Sequence, residues 1–232
     1  MRSEEVQARD SGVGGVHPAE HRPIAPAPRS TSGKAAMKDW DRAYDAYPKY
    51  AADYVWKHVV AVLETYPGER VYEVGFGSGT NLLWAREHGW EVAGCEVAYA
   101  AFARGRATLR DADLRKESIV DCSAPSEHYD VVVDRAAMTY LSPKDLKSAL
   151  FHVRRILRPG GVFLFNPYGE LHTKAFPEQM PPVTMWDTRA ARRLFPDTKW
   201  ELLDFKNLLI NYTDDGSEVE NTLQYVVRKL AS

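Results

Sequence analysis

The chain has 232 residues, and its 30 basic and 32 acidic side chains give a formal charge of −2. This length fits one large domain, or one domain with an appendage. The near-neutral charge, without a block of like charges, disfavours a dedicated nucleic-acid binder, and the longest apolar runs are far too short to cross a bilayer. The sequence has two cysteines, Cys95 and Cys122, without zinc-ligand spacing. We expect a cytoplasmic protein with no metal, membrane or nucleic-acid partner.

The first 36 residues differ in composition from the rest. Twelve of them are Pro, Gly or Ser and none is aromatic, so they cannot bury enough apolar area to offset the entropy of ordering. They also lack the apolar run of a secretory signal peptide. We predict a disordered tail over residues 1–36 and a folded domain over residues 37–232.

Aromatic residues at helical spacing come next. Steps of three and four separate, in order, Trp40, Tyr44, Tyr47, Ala51 and Tyr54. Pro48 must interrupt this pattern, so we expect two short helices. Two interpretations remain open. The aromatic residues anchor the core, or they belong to a helical lid over a pocket, within about residues 38–64.

From residue 70, short β-branched runs alternate with helical patterns. The predicted strands are Arg70–Val74, Glu91–Glu96, Ser118–Val120, Tyr129–Asp134 and Gly161–Asn166, and the predicted helices are Thr80–His88, Tyr99–Leu109, Lys144–Leu157 and Asp187–Leu194. Two last strands, Trp200–Ile210 and Glu218–Lys229, flank a short turn and predict an antiparallel hairpin. The pattern predicts an α/β fold, a doubly wound, mostly parallel seven-stranded sheet with an antiparallel C-terminal hairpin strand.

A glycine-rich loop follows the first predicted strand. Its sequence, VYEVGFGSGT over residues 71–80, places glycines at 75, 77 and 79, so the backbone can approach a ligand closely. Thr80 stands where a dinucleotide motif has its third glycine, and no Gly-Lys-Ser or Gly-Lys-Thr follows to make a P-loop. We predict that Gly75, Gly77 and Gly79 bind a nucleotide cofactor, with an ordinary glycine-rich turn as the alternative.

Three acidic residues lie near the carboxyl ends of the first three predicted strands, where open α/β sheets bind ligands. Glu73 precedes the first glycine by two residues and can face a cationic amino group. Glu96 suits the two hydroxyls of a ribose, and Asp121, followed by Cys122, suits the edge of an adenine. The set favours a cofactor that contains adenine, ribose and an amino group.

Residues from about 40 to 229 resemble the class I S-adenosylmethionine-dependent methyltransferases. The matching pieces are EVGFGSGT, Glu96, Asp121, the run LRPGGVFLF and the terminal hairpin. The resemblance implies S-adenosyl-L-methionine as cofactor. The stretches DWDRAY and DRAAM are similar to the thiopurine, thiol and halide methyltransferase branch. That likeness implies that Trp40 and Tyr44 cover the methionine end of the cofactor, and that Asp134 and Arg135 lie at the pocket.

Methyl transfer from a sulfonium is an in-line displacement, so the enzyme mainly aligns the reacting atoms and excludes water. A thiolate or basic amine needs no general base, whereas a phenol, an acid or a protonated amine needs one. By position, the candidate catalytic residues are Asp134, Arg135, Tyr168 and His172. For Arg135, anchoring of the substrate and a surface ion pair remain alternatives.

The tripeptide from Asn166 to Tyr168 is similar to a motif of adenine- and glutamine-methylating enzymes, where it follows the fourth strand. Here it follows the fifth, so we interpret Pro167 and Tyr168 as pocket wall. The irregular segment from residue 170 to 186 predicts a pocket cover.

We predict a methyltransferase that acts on an oxygen, nitrogen or sulfur of a small-molecule acceptor, as a monomer or weak homodimer. The alternatives are a methyltransferase of a protein or nucleic acid, and a descendant that binds the cofactor for another reaction. An NAD-dependent oxidoreductase has less support, because Thr80 breaks the dinucleotide motif.

Overall fold

The computed structural model describes residues 40–44, 54–176, 180–214 and 216–231. The predicted tail over residues 1–36 lies outside the described residues, as do Tyr47, Pro48 and Ala51 of the predicted lid. The proposed division of the chain at residue 36 therefore stays a prediction.

Helices and strands alternate through the described residues. Residues 40–44 are helical, and the later helices are α1 (Lys57–Thr65), α2 (Thr80–Glu87), α3 (Tyr99–Thr108), α4 (Pro143–Ile156) and α5 (Thr188–Arg192). The strands are β1 (Arg70–Val74), β2 (Glu91–Cys95), β3 (Asp113–Arg115), β4 (Tyr129–Arg135), β5 (Leu157–Asn166), β6 (Trp200–Asn211) and β7 (Val219–Lys229). Short 3-10 turns occupy Ile119–Asp121 and Met138–Tyr140.

The strands form one seven-stranded sheet in the order β3-β2-β1-β4-β5-β7-β6. The first five strands are parallel, and β7 runs antiparallel between β5 and β6. The predicted fold class is confirmed, including the C-terminal hairpin. The order reverses direction at β1, which places the carboxyl ends of β1 and β4 at the crevice where such sheets bind ligands.

The predicted strand over Ser118–Val120 is wrong. The third strand is Asp113–Arg115, and the β-branched residues that follow belong to a 3-10 turn. The hydroxyl of Ser118 accepts a hydrogen bond from the backbone N–H of Val120 at 3.2 Å, a local bond that competes with a strand ladder. Asp121 therefore lies on a turn and not at a strand end.

Both faces of the sheet are covered, which explains the uninterrupted apolar run in β4. Val131 and Val133 pack on one face with residues of α1 and α2, whereas Val132 packs on the other face with residues of α4. A strand buried on both sides needs no alternation of apolar and polar residues. On the α4 side, Asp187 is the N-cap of the last short helix, since its side chain accepts from the backbone N–H of Ala190 at 3.2 Å.

Asp130 joins three segments at the end of the sheet opposite the glycine loop. Its Oδ2 accepts from the backbone N–H groups of Glu69 and Arg70 at 2.6 and 2.8 Å, and its Oδ1 pairs with Arg158 at 2.6 Å. Asp130 is only 6% exposed. A Cβ at Gly68 would lie 2.5 Å from the Asp130 Cβ, so glycine is required beside it.

We expect Asp130→Ala to lower the free energy of unfolding by about 2–4 kcal/mol, because two backbone N–H groups and a guanidinium lose a buried acceptor. Urea unfolding measures the change. The control is Asp197→Ala, which removes an acid 85% exposed in its ion pair with Arg192 and should cost less than about 1 kcal/mol. Equal losses for the two variants would contradict the assigned role of Asp130.

Candidate functional site

A cavity of about 830 Å³ opens at the carboxyl ends of β1, β2, β4 and β5. Ten of the residues predicted for the site line it: Trp40, Tyr44, Glu73, Gly75, Gly77, Glu96, Asp121, Arg135, Tyr168 and His172. Three others do not: Gly79, Cys122 and Asp134. We call the wall from Glu73 to Asp121 the glycine-loop side, and the wall formed by Tyr54, Trp56, Arg135, Asn166, Tyr168 and His172 the β4–β5 side.

The glycine loop adopts a backbone conformation that favours glycine. Gly75, Gly77 and Gly79 have φ of 62°, 58° and 81°. A Cβ on Gly75 would lie 2.5 Å from the Cβ of Ala137, and one on Gly77 would lie 3.3 Å from the Tyr44 hydroxyl. Gly79 instead forms the N-cap of α2 and packs against Leu109. Gly79 therefore shapes the turn into the helix, and its contact with the cofactor stays a prediction.

Glu73 is a buried carboxyl with one oxygen unpaired. Its Oε1 accepts from Nδ2 of Asn81 at 2.7 Å, while its Oε2 has no hydrogen-bond partner among the described residues. Burial raises the pKa of Glu73 to about 8, against a smaller opposite effect of the Asn81 hydrogen bond. Asn81 also accepts from the backbone N–H of Trp56 at 2.9 Å, so one amide links Glu73 to the start of α1.

Glu96 holds the glycine loop and the start of α3. Its Oε2 accepts from the backbone N–H of Gly77 at 2.9 Å, and its Oε1 from that of Ala98 at 2.8 Å. Burial raises its pKa, while these backbone bonds act in the opposite direction. Each carboxyl oxygen keeps a further lone pair, so Glu96 can also accept from hydroxyls in the cavity.

Asp121 and Cys122 separate in the structure. Asp121 lines the cavity as an exposed residue of the 3-10 turn. Cys122 turns away into the core, where its sulfur lies 3.6 Å from the hydroxyl of Tyr72. Asp121 therefore lines the cavity, whereas the Cys122 side chain packs between helix and sheet. The predicted contacts with an adenine edge, by the Asp121 carboxylate and by a backbone N–H, stay predictions.

Asp134 supports the cavity wall from behind it, which differs from its predicted place in the site. It is fully buried, and its Oδ1 accepts from the backbone N–H groups of Ala137 and Met138 at 3.0 and 2.8 Å. These bonds hold Ala136 at φ 55°, an uncommon conformation for a residue with a side chain. Burial raises the pKa of Asp134 to about 7. Asp134 therefore shapes the turn after β4 without reaching the cavity.

Arg135, the next residue, faces the cavity and is held by two aromatic rings. Its guanidinium carbon lies 5.3 Å from the ring centre of Tyr54 and 4.7 Å from that of Trp56, within the range of cation–π contacts. Its Nη2 donates to the Tyr54 hydroxyl at 2.8 Å. The rings and the Tyr54 hydroxyl hold the guanidinium in place, and its other N–H groups can serve a ligand.

Three rings form the wall after β5. His172 stacks on Phe176 with 4.6 Å between ring centres, and Tyr168 meets both rings edge-on. Nδ1 of His172 lies 3.3 Å from the backbone N–H of Asn221, which makes Nδ1 the acceptor and assigns the proton of the neutral ring to Nε2. Burial lowers the pKa of His172. The ring is thus neutral at pH 7, with its accepting nitrogen already occupied.

Residues 40–44 lie over the glycine loop. The ring of Trp40 meets that of Tyr140 edge-on at 4.7 Å, and Asp41 accepts from the backbone N–H of Tyr99. Tyr44 is 9% exposed, and its pKa is raised by burial and then by the nearby carboxylate of Glu96. This segment therefore closes the glycine-loop side from above.

The sequence prediction lacks several residues that line the cavity. Trp56 and Asn81 carried no motif, and Thr222 and Glu220 reach the cavity from β7, far along the chain. Tyr54 was considered only as part of an aromatic pattern. The one available signal was their position beside predicted strand ends, which does not separate a lining residue from a core residue.

Within the described ranges, no helix is long and apolar enough to cross a membrane. The same part of the chain contains no group of three or more His, Cys, Asp or Glu residues that could hold a metal ion.

Comparison with known proteins identifies a methyltransferase domain within the chain. The sequence profile of a family described as a methyltransferase domain matches residues 71–161, which include the glycine loop. An uncharacterised methyltransferase of Synechocystis sp. is 26% identical over 164 residues, 70% of this chain and 70% of that protein. The tRNA N(3)-methylcytidine methyltransferase Mettl2 of Drosophila melanogaster is 27% identical over 112 residues, 43% of this chain and 34% of that protein.

Solved structures share the fold. A SAM-dependent methyltransferase from Methanosarcina mazei has a TM-score of 0.63 at 17% identity, over 74% of this chain and 98% of that one. A methyltransferase solved in complex with the Haloferax volcanii activator Trm112 has a TM-score of 0.64 at 21% identity, over 87% and 99%. The matched domain and the shared fold support an S-adenosylmethionine-dependent methyltransferase. The predicted enzyme class and cofactor are confirmed.

The residues of this methyltransferase fit S-adenosylmethionine. The unpaired Oε2 of Glu73 suits the amino group, and the spare lone pairs of Glu96 suit the ribose hydroxyls. The positive φ angles of the loop leave room where a Cβ would project. These assignments of individual residues remain predictions.

The pKa of Glu73 gives a pH-dependent prediction. At pH 7 the free protein holds this carboxyl mostly protonated, because its pKa is about 8. A cationic amino group beside it favours the ionised form, so binding should release most of one proton at pH 7. Affinity should then rise by up to about tenfold per pH unit between pH 6 and 8 and level off above.

Calorimetry with S-adenosylhomocysteine, which has the same amino group, in two buffers of different ionisation enthalpy measures the released proton. The control Glu73→Gln should bind more weakly and release none. Binding by the wild type without proton release at pH 7 would show that Glu73 does not receive the amino group.

Two truncations test the cover over the loop. Removal of residues 1–36 should leave the melting temperature and cofactor affinity nearly unchanged, since that composition contributes little to a core. Removal through Tyr47 also deletes Trp40 and Tyr44, and should lower turnover by about 10- to 100-fold because the reacting groups lose alignment and water enters. Equal turnover of the two truncated proteins would exclude a lid.

Proposed function

We propose that this enzyme transfers a methyl group to a nucleophilic atom of a small molecule. The observation that carries the proposal is the enclosed, aromatic β4–β5 side, where Trp56, Tyr168 and His172 line the cavity next to Arg135. A cavity of about 830 Å³ has the size of a small-molecule site. The segment after β5 adds Phe176 to this wall.

The resemblance to the thiopurine, thiol and halide branch supports an acceptor of this size. Trp40 and Arg135, which carry that likeness, both line the cavity. Asp134, which also belongs to the likeness, holds the turn through Ala137 and Met138. We propose a positioning role for Asp134, because its side chain does not face the cavity.

Methyl transfer depends on alignment of the reacting groups more than on acid–base catalysis. When bound, S-adenosylmethionine supplies a methyl group on a positively charged sulfur. Glu73 and Glu96 hold the amino and ribose groups, Trp40 and Tyr44 cover that end, and the aromatic β4–β5 side orients the acceptor and excludes water. His172 acts as wall and hydrogen-bond donor, because its Nδ1 already accepts from Asn221.

Arg135 is the candidate anchor for an anionic group of the acceptor. Its guanidinium lies against the rings of Tyr54 and Trp56, and its planar fork of donors suits a carboxylate or a similar planar anion. Lysine would keep the charge but lose the planar stacking, so this position separates anchoring from general electrostatic attraction.

A second candidate function is methylation of a nucleic acid. The likeness to a tRNA methyltransferase over 112 residues supports it. The charge of −2 counts against it, because binding to a phosphate backbone draws on clustered Lys and Arg.

The test is transfer of a labelled methyl group to a panel of small thiols, phenols, amines and carboxylic acids, with tRNA and total RNA in parallel. We expect labelled small-molecule product and none on RNA. Arg135→Lys should raise the KM of an anionic acceptor by about tenfold or more, with cofactor affinity unchanged.

The control is Arg189→Lys, an exposed arginine that does not line the cavity, which should leave KM unchanged. Label on RNA alone would overturn the small-molecule proposal. An unchanged KM in the Arg135 variant would remove only its role as anchor.

A further inference from the structure

The β4–β5 side contains a buried amide oxygen that has no partner. Asn166, the last residue of β5, is 1% exposed and lines the cavity. Its Nδ2 donates to the backbone carbonyl of Leu223 at 2.7 Å, which identifies the two ends of the amide. Its Oδ1 has no hydrogen-bond partner among the described residues. A buried carbonyl oxygen of this kind is unfavourable until it meets a donor.

The surrounding bonds hold Asn166 in place. Its backbone carbonyl accepts from the N–H of Ala136 at 3.0 Å, and its Nδ2 is fixed on Leu223 of β7. In the sheet register Asn166 pairs with Arg135, so it stands at the same level as the proposed anchor. The amide cannot turn to satisfy Oδ1 without breaking the bond to Leu223. No described residue donates to Oδ1, which leaves it available to a molecule in the cavity.

We propose that Oδ1 of Asn166 accepts an N–H of the methyl acceptor, and that the atom methylated is a nitrogen; this rests on the proposed function. A thiolate or carboxylate would bring negative charge against the negative end of the amide dipole. A hydroxyl has a single proton. An amide is not a base, so a hydroxyl that donates its proton in a hydrogen bond to the amide remains a poor nucleophile. An uncharged amine donates an N–H and keeps its lone pair for attack.

The bonds formed and broken in the methyl transfer involve only the acceptor nitrogen, the methyl group and the sulfur. The nitrogen lone pair forms the new N–C bond as the C–S bond breaks, and the electrons of that bond stay on the sulfur. The nitrogen becomes positively charged, and its N–H bond to Oδ1 strengthens in the transition state. The surplus proton leaves to water after transfer, so Asn166 need not act as a base.

The first experiment uses the wild-type protein and the panel of nitrogen, sulfur and oxygen nucleophiles. We expect kcat/KM for the best nitrogen acceptor to exceed that for any thiol, phenol or carboxylate by at least about tenfold. A small thiol, phenol or carboxylate as best acceptor would overturn this inference and leave the proposed function intact. Label on RNA alone would overturn the proposed function itself.

The second experiment is Asn166→Leu, which removes the amide but keeps the volume. For the nitrogen acceptor we expect kcat/KM to fall about 10- to 100-fold, and calorimetric binding of that acceptor to weaken, while cofactor affinity stays within about twofold. Asn166→Ser is the second variant if the first does not fold, and should show the same loss.

The matched control is Gln224→Leu. Gln224 is also a buried amide with an unpartnered oxygen, but it does not line the cavity. This variant should keep the acceptor constants of the wild type. Full activity of both Asn166 variants toward the nitrogen acceptor, or the same loss in the Gln224 variant, would overturn the role of Asn166.

Discussion

The site depends on carboxyl groups that the fold buries without an ion pair among the described residues. Glu73 and Glu96 are 3% and 5% exposed, and burial raises the pKa of each. Ionising them in the free protein is unfavourable, whereas a cation and hydroxyl donors in the cavity reverse that preference. Burial of these carboxyl groups therefore lowers the stability of the free protein, and ligand binding offsets that loss. Binding sites often reduce stability in this way.

The bond between Glu96 and Gly77 makes the loop and the acid one unit. The loop reaches its left-handed conformation only with glycines, and in that conformation the N–H of Gly77 points to the carboxylate that ends the neighbouring strand. The position of the acid therefore follows from the shape of the loop. The glycine loop and Glu96 therefore carry part of the resemblance to the methyltransferases, together with Asp121, the run LRPGGVFLF and the terminal hairpin.

Most of the fold was predictable for similar local reasons. The runs in β4 and β5 have the composition of strands buried on both faces, and both form. The strand predicted at Ser118–Val120 is wrong because the β-branched pair does not indicate the local hydrogen bond of the Ser118 hydroxyl. That bond favours a turn. Gly79, Cys122 and Asp134 were placed at the site by adjacency, but their neighbours in space are Leu109, Tyr72 and the turn after β4.

The two sides of the cavity differ in how far along the chain their contacts reach. On the glycine-loop side, Glu73 bonds Asn81 eight residues away, and Gly77 bonds Glu96 nineteen residues away. On the β4–β5 side, the corresponding separations are 81 residues for Arg135 to Tyr54 and 57 for Asn166 to Leu223. Contacts of the first kind leave a motif in the sequence, whereas contacts of the second kind exist only once β7 and the start of α1 have been brought to the sheet. The cofactor could therefore be predicted from the sequence, whereas the chemistry of the acceptor could be inferred only from the folded structure.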